Sequence, residues 1–351
     1  MAVNGTQSPS ESPFAFLVGR LWVYVLQGVL LFSFNALIML TILRYRVLRQ
    51  NKSYALPCAL ACIDCFDGVA AMVGGTGRNM LIFANTAHLP VSRWDCLLTP
   101  WNAIWIVINH ITDPTFVAIS VDRLIAVALP IWHFSVRREY GICMVLLAWG
   151  TGSLFLLYCL YTSFQHTEPE RPAICFTNFA IDDGYYAFHY YYRVVLSLLS
   201  VALYVLVVLV YAWRHQNGPG GTQENQKYTK QQMRLTVTLG LSSTLTFFFY
   251  IVPMFFNAIL PQLMDVSLAS QFISSSYIIQ NMNKLANLFL YSFRHSDLRL
   301  GIRYFFKCKE LTQAAIDQQS HKPASSVKPK SLTGHSRNKR GTRGSLATPH
   351  A

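Results

Sequence analysis

Four ionisable side chains stand in stretches of this chain that carry almost no other charge. They are Asp64, His110, Asp113 and Lys284, the last within the run IIQNMNKLANLFLYSF at 278–293. A charge inside an apolar span is costly, so such groups commonly relay protons or pair with one another. One chemistry open to these four residues is therefore proton transfer, in an intramembrane transporter or enzyme.

Three cysteines, Cys58, Cys62 and Cys65, have a spacing that could suggest a metal site. They lie within an apolar run, where a free cysteine usually packs as a small hydrophobic residue. We therefore predict no metal site there, and no cofactor for the chain.

The elements that must position these side chains are predicted to be membrane-spanning helices. Of the 351 residues, 52% are hydrophobic and only 13% are charged, whereas a soluble domain carries about 25% charged residues. A bilayer core needs roughly 20 apolar residues as a helix, and seven stretches qualify. The predicted spans are about 20–43, 54–77, 98–128, 140–164, 188–213, 233–260 and 269–293.

Basic residues beside the span ends predict the orientation. The loops after the first, third and fifth spans are rich in Lys and Arg, whereas the second and third outer loops carry Glu168, Glu170 and Asp265. The odd-numbered loops should face the cytoplasm and residues 1–19 should form an extracellular tail. Asn4, in the run NGT, then becomes a candidate glycosylation site.

The C-terminal segment is strongly basic. From Arg294 onward it has 12 Lys and Arg against 3 Asp and Glu. Such a segment could bind nucleic acid, but behind seven spans it is expected to lie against the anionic inner leaflet of the bilayer, so no nucleic-acid partner is predicted. Residues 309–351 are predicted to be a disordered cytoplasmic tail, whose Ser and Thr are either phosphorylation sites or simply solvated.

The most specific stretch of the chain is ISVDRLIAVALPIWHF at 119–134, at the inner end of the third span. Asp122 and Arg123 are followed there by Pro130 and Ile131. A solvated helix end is the simplest interpretation of such a pair. The whole run, however, resembles the Asp-Arg-Tyr region of the rhodopsin-like G-protein-coupled receptors, with Leu124 in place of the tyrosine.

Other spans carry motifs that resemble the same class, in the same order. The first span has Asn35, the second has LACID ending at Asp64, the fourth has Trp149, the sixth has FFFYIVP with Phe247 and Pro253, and the seventh has NLFLY from Asn287 to Tyr291. Within the class, DRLIAVALPIWHF with a divergent seventh helix is most similar to the nematode serpentine chemoreceptors.

The resemblance implies an all-α seven-helix bundle over 20–294, followed by an amphipathic eighth helix over 295–308. It implies a non-enzymatic receptor in the plasma membrane that senses an extracellular small molecule or short peptide and activates a heterotrimeric G protein, with arrestin as a candidate partner of the tail. The residues it assigns to coupling and switching are Asp122, Arg123, Pro130, Ile131, Tyr204, Phe247, Pro253, Asn287 and Tyr291.

The chain departs from the class at several switch positions. Tyr250 and Ile251 replace the Cys and Trp of the sixth-helix motif, and Leu288 replaces the seventh-helix proline. The sixth-helix acid that often pairs with the motif arginine would fall at Met233. Arg123 is therefore expected to lack that restraint.

Two further predictions concern cysteines. The resemblance implies that Cys96 and Cys175 form the disulfide that ties the second outer loop to the third helix. Cys308 follows the predicted eighth helix among lysines, which is typical of a palmitoylation site.

The predicted ligand pocket is aromatic with a few polar groups. Trp105 stands where amine receptors of the class have an aspartate, which argues against monoamine ligands. The pocket is predicted to comprise Trp101, Trp105, Asn109, Tyr277 and Asn281. The run YYAFHYYYR at 185–193 is interpreted as an interfacial aromatic belt in preference to pocket lining.

Lys284 occupies a position that in the class belongs to a sodium-binding shell, and the residues carried over to that shell are Asp64, Thr112, Asn283, Lys284 and Asn287. We predict that the ammonium group replaces the ion and pairs with Asp64, with Asp67 and Asp113 as lesser candidates.

Two alternatives stay open. A proton-linked transporter or enzyme would use Asp64, His110, Asp113 and Lys284. An opsin would need its retinal lysine at position 281, three residues from Lys284, where the chain has Asn281.

Overall fold

Long apolar helices dominate the protein, which a computed structural model describes for residues 13–137, 139–217, 240–241, 244–263, 272, 275–286, 290, 296–312 and 314–316. Within these residues five helices are long and apolar enough to cross a membrane: Phe16–Arg44, Lys52–Phe83, Pro100–Ala128, Glu139–Phe164 and Asp183–Arg214. Each overlaps one of the first five predicted spans. The predicted sites Asn4, Asn287 and Tyr291 and most of the tail lie outside the described residues.

The helices are numbered in chain order, and two short strands pair between them. The helices are α1 Pro13–Arg44, α2 Arg46–Gln50, α3 Ala55–Phe83, α4 Arg93–Leu98, α5 Pro100–Ala128, α6 Pro130–Ser135, α7 Glu139–Phe164, α8 Thr177–Ala180, α9 Asp183–Asn217, α10 Val252–Leu263, α11 275–286 and α12 Ser296–Phe306, with a 3₁₀ turn at Lys52–Tyr54 and a π-helix at Phe247–Ile251. Strands β1 Pro90–Val91 and β2 Arg171–Pro172 are antiparallel.

The predicted sixth and seventh spans are described only in part. The π-helix and α10 cover the middle and outer part of the sixth, and α11 covers the middle of the seventh. Asn257 on α10 donates from Nδ2 to Ser276 Oγ on α11 at 2.7 Å, which joins the two segments.

Glycines allow α1 and α3 to pack closely. A Cβ atom added at Gly28 would come within 2.6 Å of the Gly68 carbonyl oxygen, and one at Gly68 within 2.7 Å of the Gly28 oxygen. Lipid offers no hydrophobic drive for helices to associate, so small residues that bring backbones together supply much of the packing energy.

A second close approach joins α5 and α7. Pro114 within α5 has no N–H group to donate to the carbonyl of His110, four residues earlier. Gly152 of α7 lies against that carbonyl: an added Cβ would collide with its oxygen and stand 2.8 Å from its carbon. The proline and the glycine are thus parts of one contact.

Helix α12 packs against the C-terminal end of α1. Leu298 is buried in a cluster with Ile38, Ile42 and Leu48, and a Cβ at Gly301 would come within 2.9 Å of the Thr41 side chain. A helix therefore occupies most of the predicted 295–308 segment. Its lying on the membrane surface, and the palmitoylation of the exposed Cys308 beside it, remain predictions.

Gly152→Ala is expected to destabilise the protein by about 1–3 kcal/mol, because the new methyl group meets backbone that cannot move aside cheaply. Gly150, two residues earlier on the same helix, has no atom within 4 Å of its added Cβ, so Gly150→Ala is the matched control. Thermal unfolding of the purified variants in detergent measures the difference. A Gly152→Ala protein that unfolds no earlier than the Gly150→Ala protein would contradict the packing described.

Candidate functional site

A cavity opens among the side chains of α5, α9, α10 and α11 beneath the loop that contains α8. Aromatic and aliphatic side chains with a few polar groups line it, which is the usual composition of a small-molecule site. The lining residues are Trp105, Ile106, Asn109, His110, Thr177, Ile181, Tyr186, His189, Tyr190, Arg193, Met254, Asn257, Tyr277 and Gln280.

Three of the five predicted pocket residues line this cavity, namely Trp105, Asn109 and Tyr277. The rings of Trp105 and Tyr277 meet edge to face with centroids 5.7 Å apart, so they form one aromatic wall.

The prediction was wrong for the other two residues. Trp101 lies one turn before Trp105 and packs against α3, where its ring fills the space beside Gly77. Asn281 on α11 faces α1 and donates from Nδ2 to Gln27 Oε1 at 3.4 Å. Both side chains hold helices together at the edge of the cavity.

The aromatic run at 185–193 contributes a whole face to the cavity, contrary to the interpretation as an interfacial belt. Tyr186, His189, Tyr190 and Arg193 all line it. Their spacing of three, four and seven residues is the repeat of one face of a helix. That spacing was visible in the sequence and is the signal that identifies these residues.

A buried ion pair forms the floor of the site. Arg193 Nε on α9 donates to Asp113 Oδ2 on α5 at 3.0 Å, and the Asp113 side chain is fully buried. The other carboxylate oxygen accepts from Ser197 Oγ and from Tyr250 Oη, each at 3.2 Å. Arg193 also donates from Nη2 to Tyr250 Oη, so three segments of the bundle meet at one carboxylate.

His110 belongs to a separate chain of hydrogen bonds on the wall. Its Nδ1 lies 2.7 Å from the Ile106 carbonyl oxygen and its Nε2 lies 2.8 Å from Tyr185 Oη. Tyr185 Oη in turn donates to the Phe155 carbonyl oxygen at 2.7 Å, and the His110 ring stacks on His189 at 4.2 Å. These bonds tie α5, α7 and α9 together beside the cavity.

The loop above the cavity is held by the disulfide between Cys96 and Cys175, whose Cα atoms are 5.1 Å apart. This confirms the predicted pairing. Cys175 has φ of 47°, an unfavourable region for a non-glycine residue. Its carbonyl oxygen accepts from Arg78 Nη2 and Asn102 Nδ2 at 2.9 Å each, which stabilises that conformation.

At the other end of α5, Asp122 and Arg123 form an ion pair with each other. Arg123 Nε donates to Asp122 Oδ2 at 2.9 Å, and Nη2 donates to the same oxygen. His133 Nε2 on α6 lies 3.2 Å from Asp122 Oδ1. Among the described residues the arginine is thus restrained by its own neighbour, and that neighbour is in turn held by α6.

A comparison with known protein families shows to which family the chain belongs. Residues 28–306 match the family described as serpentine type 7TM GPCR chemoreceptor Srsx. The chain belongs to the Srsx family of serpentine chemoreceptors. No curated protein matches the sequence significantly. The Srsx membership agrees with the nematode serpentine resemblance predicted from the run DRLIAVALPIWHF.

In this Srsx chain Lys284 pairs with Asp67, and the predicted pairing with Asp64 was wrong. Helical side chains lean toward the N-terminus of their helix. Because α11 and α3 are expected to run in opposite directions, Lys284 leans toward the C-terminal end of α3, and Asp67 lies one turn closer to that end than Asp64. Asp64 interacts with the pair only at longer range.

Two other residues of the predicted sodium shell form hydrogen bonds away from Lys284 in the described part of the Srsx chain. Thr112 Oγ1 donates to the Ile108 carbonyl oxygen of its own helix at 2.7 Å. Asn283 donates from Nδ2 to Thr246 Oγ1 at 3.2 Å. The proton-carrier candidates likewise divide between separate pairs, Asp113 with Arg193 and Lys284 with Asp67.

Removing one partner of the Lys284–Asp67 pair should cost about 3–5 kcal/mol, because the remaining charge stays buried. Lys284→Met or Asp67→Asn alone should therefore reduce surface expression and thermal stability. The double variant Lys284→Met with Asp67→Leu should recover most of the loss. Asp64→Asn is the matched control. If it reduced expression and thermal stability as much as Asp67→Asn does, the result would indicate that Lys284 pairs with Asp64 instead.

Cys96→Ser is expected to destabilise the Srsx chain by about 2–4 kcal/mol, the usual contribution of a disulfide. Cys143 is an exposed free thiol on α7, so Cys143→Ser should leave stability unchanged. Peptide mapping without reduction should recover one linked pair of peptides containing Cys96 and Cys175. Recovery of both cysteines as free thiols, or of Cys175 joined to Cys159, would refute the assignment.

Proposed function

We propose that this chemoreceptor-family protein is a plasma-membrane receptor that binds a small organic molecule in the cavity and activates a heterotrimeric G protein. The observation that carries the proposal is that helix α5 connects the cavity with the Asp122–Arg123 pair. Near one end it carries cavity residues Trp105 and Asn109, and at the other end it carries Asp122 and Arg123. A ligand that shifts this helix acts on both ends at once.

The loop over the cavity favours a small molecule over a short peptide. The disulfide-bonded loop covers the site, and its residues Thr177 and Ile181 belong to the lining. A peptide of several residues would have to displace that loop. A compact organic molecule would displace much less of it.

Helix α6 provides a surface for the transducer. Ile131 is 87% exposed and Phe134 is 73% exposed, beside the half-exposed Trp132. Exposed apolar side chains grouped on one short segment are typical of a protein-binding surface. Lys52 donates from Nζ to the carbonyl oxygens of His133, Phe134 and Val136, which anchors the C-terminal end of α6 to the bundle.

The ion pair of Arg123 supports a switching role for that residue. Both side chains of the pair are less than 10% exposed, so releasing the arginine toward a partner requires the contact with Asp122 to break. A transducer that binds the arginine would offset that cost. The proposed inner switch also includes Tyr204, a buried side chain beside Gly240, together with Phe247 and Pro253. Arrestin binding to the tail remains a further proposal.

Arg123→Ala should abolish G-protein activation while surface expression stays near normal, because the variant removes the group proposed to enter the transducer. Asp122→Asn weakens the restraint on the arginine, so its basal activation should rise severalfold. Arg46 is an exposed arginine of α2, and Arg46→Ala is the control for the loss of one positive charge. Nucleotide exchange on G protein in isolated membranes is the measurement.

Full signalling by the Arg123→Ala receptor would remove the proposed coupling mechanism. Proton uptake or substrate transport by membranes that lack any G-protein response would favour the transporter interpretation instead. The two results are separate readouts of the same membrane preparation.

A further inference from the structure

We propose that the cavity selects a small organic acid, whose carboxylate group binds between Arg193 and His189. The inference rests on the proposed function, because it identifies the ligand class of the same site. It concerns the charge that the cavity accepts and is independent of which G protein the receptor activates.

The charges of the cavity wall are the first argument. The described lining residues include one arginine and two histidines, and none of them is an aspartate or a glutamate. Asp113 lies behind Arg193 and is not part of the lining. A ligand in the cavity therefore meets the guanidinium group first. An anionic ligand is attracted to that wall, whereas an amine is repelled by it.

The donors left over on Arg193 are the second argument. A guanidinium group has five N–H donors in a rigid fork that suits a carboxylate. Nε donates to Asp113 and Nη2 donates to Tyr250. Neither of these bonds uses Nη1, so the side chain that lines the cavity keeps N–H groups that it can donate to a ligand.

A second unpaired polar atom lies on the same helix face. His189 is 6% exposed, and its Nδ1 is buried without a hydrogen-bond partner among the residues that the structure describes. A buried polar atom without a partner is costly unless a ligand or water pairs with it. His189 and Arg193 are four residues apart, so their side chains are neighbours on α9. In the tautomer that carries its proton on Nδ1, His189 can donate to one oxygen of a carboxylate whose other oxygen accepts from Arg193.

The other lining residues indicate the chemistry of the part of the ligand that lies beyond its carboxylate group. Trp105, Ile106, Ile181, Met254 and Tyr277 supply an apolar and largely aromatic surface. A compact aromatic or aliphatic group would bury its surface against them while its carboxylate reaches α9. The expected ligand is thus an amphipathic monocarboxylic acid in its ionised form.

Matched probes test the charge directly. Benzoate, benzamide and benzamidine share one planar body, and hexanoate, hexanamide and hexylamine share another. Each is titrated to millimolar concentration against the purified receptor, with the thermal unfolding midpoint as the readout. We expect at least one acid to bind about tenfold more tightly than its amide, a difference of about 1.4 kcal/mol, and each amine to bind more weakly than its amide.

The key variant is the double change Arg193→Gln with Asp113→Asn, which removes both charges and leaves no orphaned ion. It should bind acid and amide about equally. His189→Phe should weaken acid binding severalfold with little effect on the amide. Arg46→Gln is the control for the loss of one arginine, because Arg46 is exposed on α2 and does not line the cavity, so its loss should leave the preference intact.

Failure of this inference is distinguishable from failure of the proposed function. Binding of amides or amines without binding of any acid, or no binding by either series, would overturn the carboxylate inference. A preference for acids that survives in the double variant would overturn the role of Arg193. Selective binding of acids that produces no nucleotide exchange in membranes would support the inference and contradict the proposed receptor function.

Discussion

The buried ion pair between Asp113 and Arg193 is the interaction around which the bundle is organised. Taking two charges out of water is expensive, and the cost is offset only when each charge has further partners. Here Ser197 and Tyr250 complete the shell of the carboxylate. Three segments, α5, α9 and the π-helix, must therefore stay in register for the pair to be tolerated.

The cavity wall and the core of the bundle share one residue of this ion pair, so a change in one affects the other. Arg193 is at once a wall residue of the cavity and the partner of Asp113 and Tyr250. Tyr250 lies in the π-helix, three residues before Pro253, at a place where the regular backbone pattern is already interrupted. Local irregularities of this kind are frequent at functional sites. A ligand that bound to Arg193 would thus contact a side chain that is bonded directly to the π-helix.

The two ends of α5 are restrained by different means. At the N-terminal end, a disulfide and the Cys175 carbonyl oxygen, with its donors from α3 and α5, hold the loop over the cavity. At the C-terminal end, Arg123 pairs with its neighbour Asp122, which also contacts His133 on α6. A covalent bond persists through a conformational change, whereas an ion pair can exchange partners. The switch that we propose therefore belongs to the end that carries the ion pair.

The sequence by itself determined the membrane class, the family, the disulfide and the positions of the first five spans. The spans follow from the length of apolar runs, whereas the family and the disulfide follow from motifs that resemble a known class of receptors. The tertiary structure decided which faces meet: Trp101 and Asn281 turn to neighbouring helices, Arg193 and His189 face the cavity, and Lys284 reaches Asp67 in place of Asp64. One turn of a helix separates the right partner from the wrong one, and that choice depends on rotation and tilt, which only the packing of neighbouring helices sets.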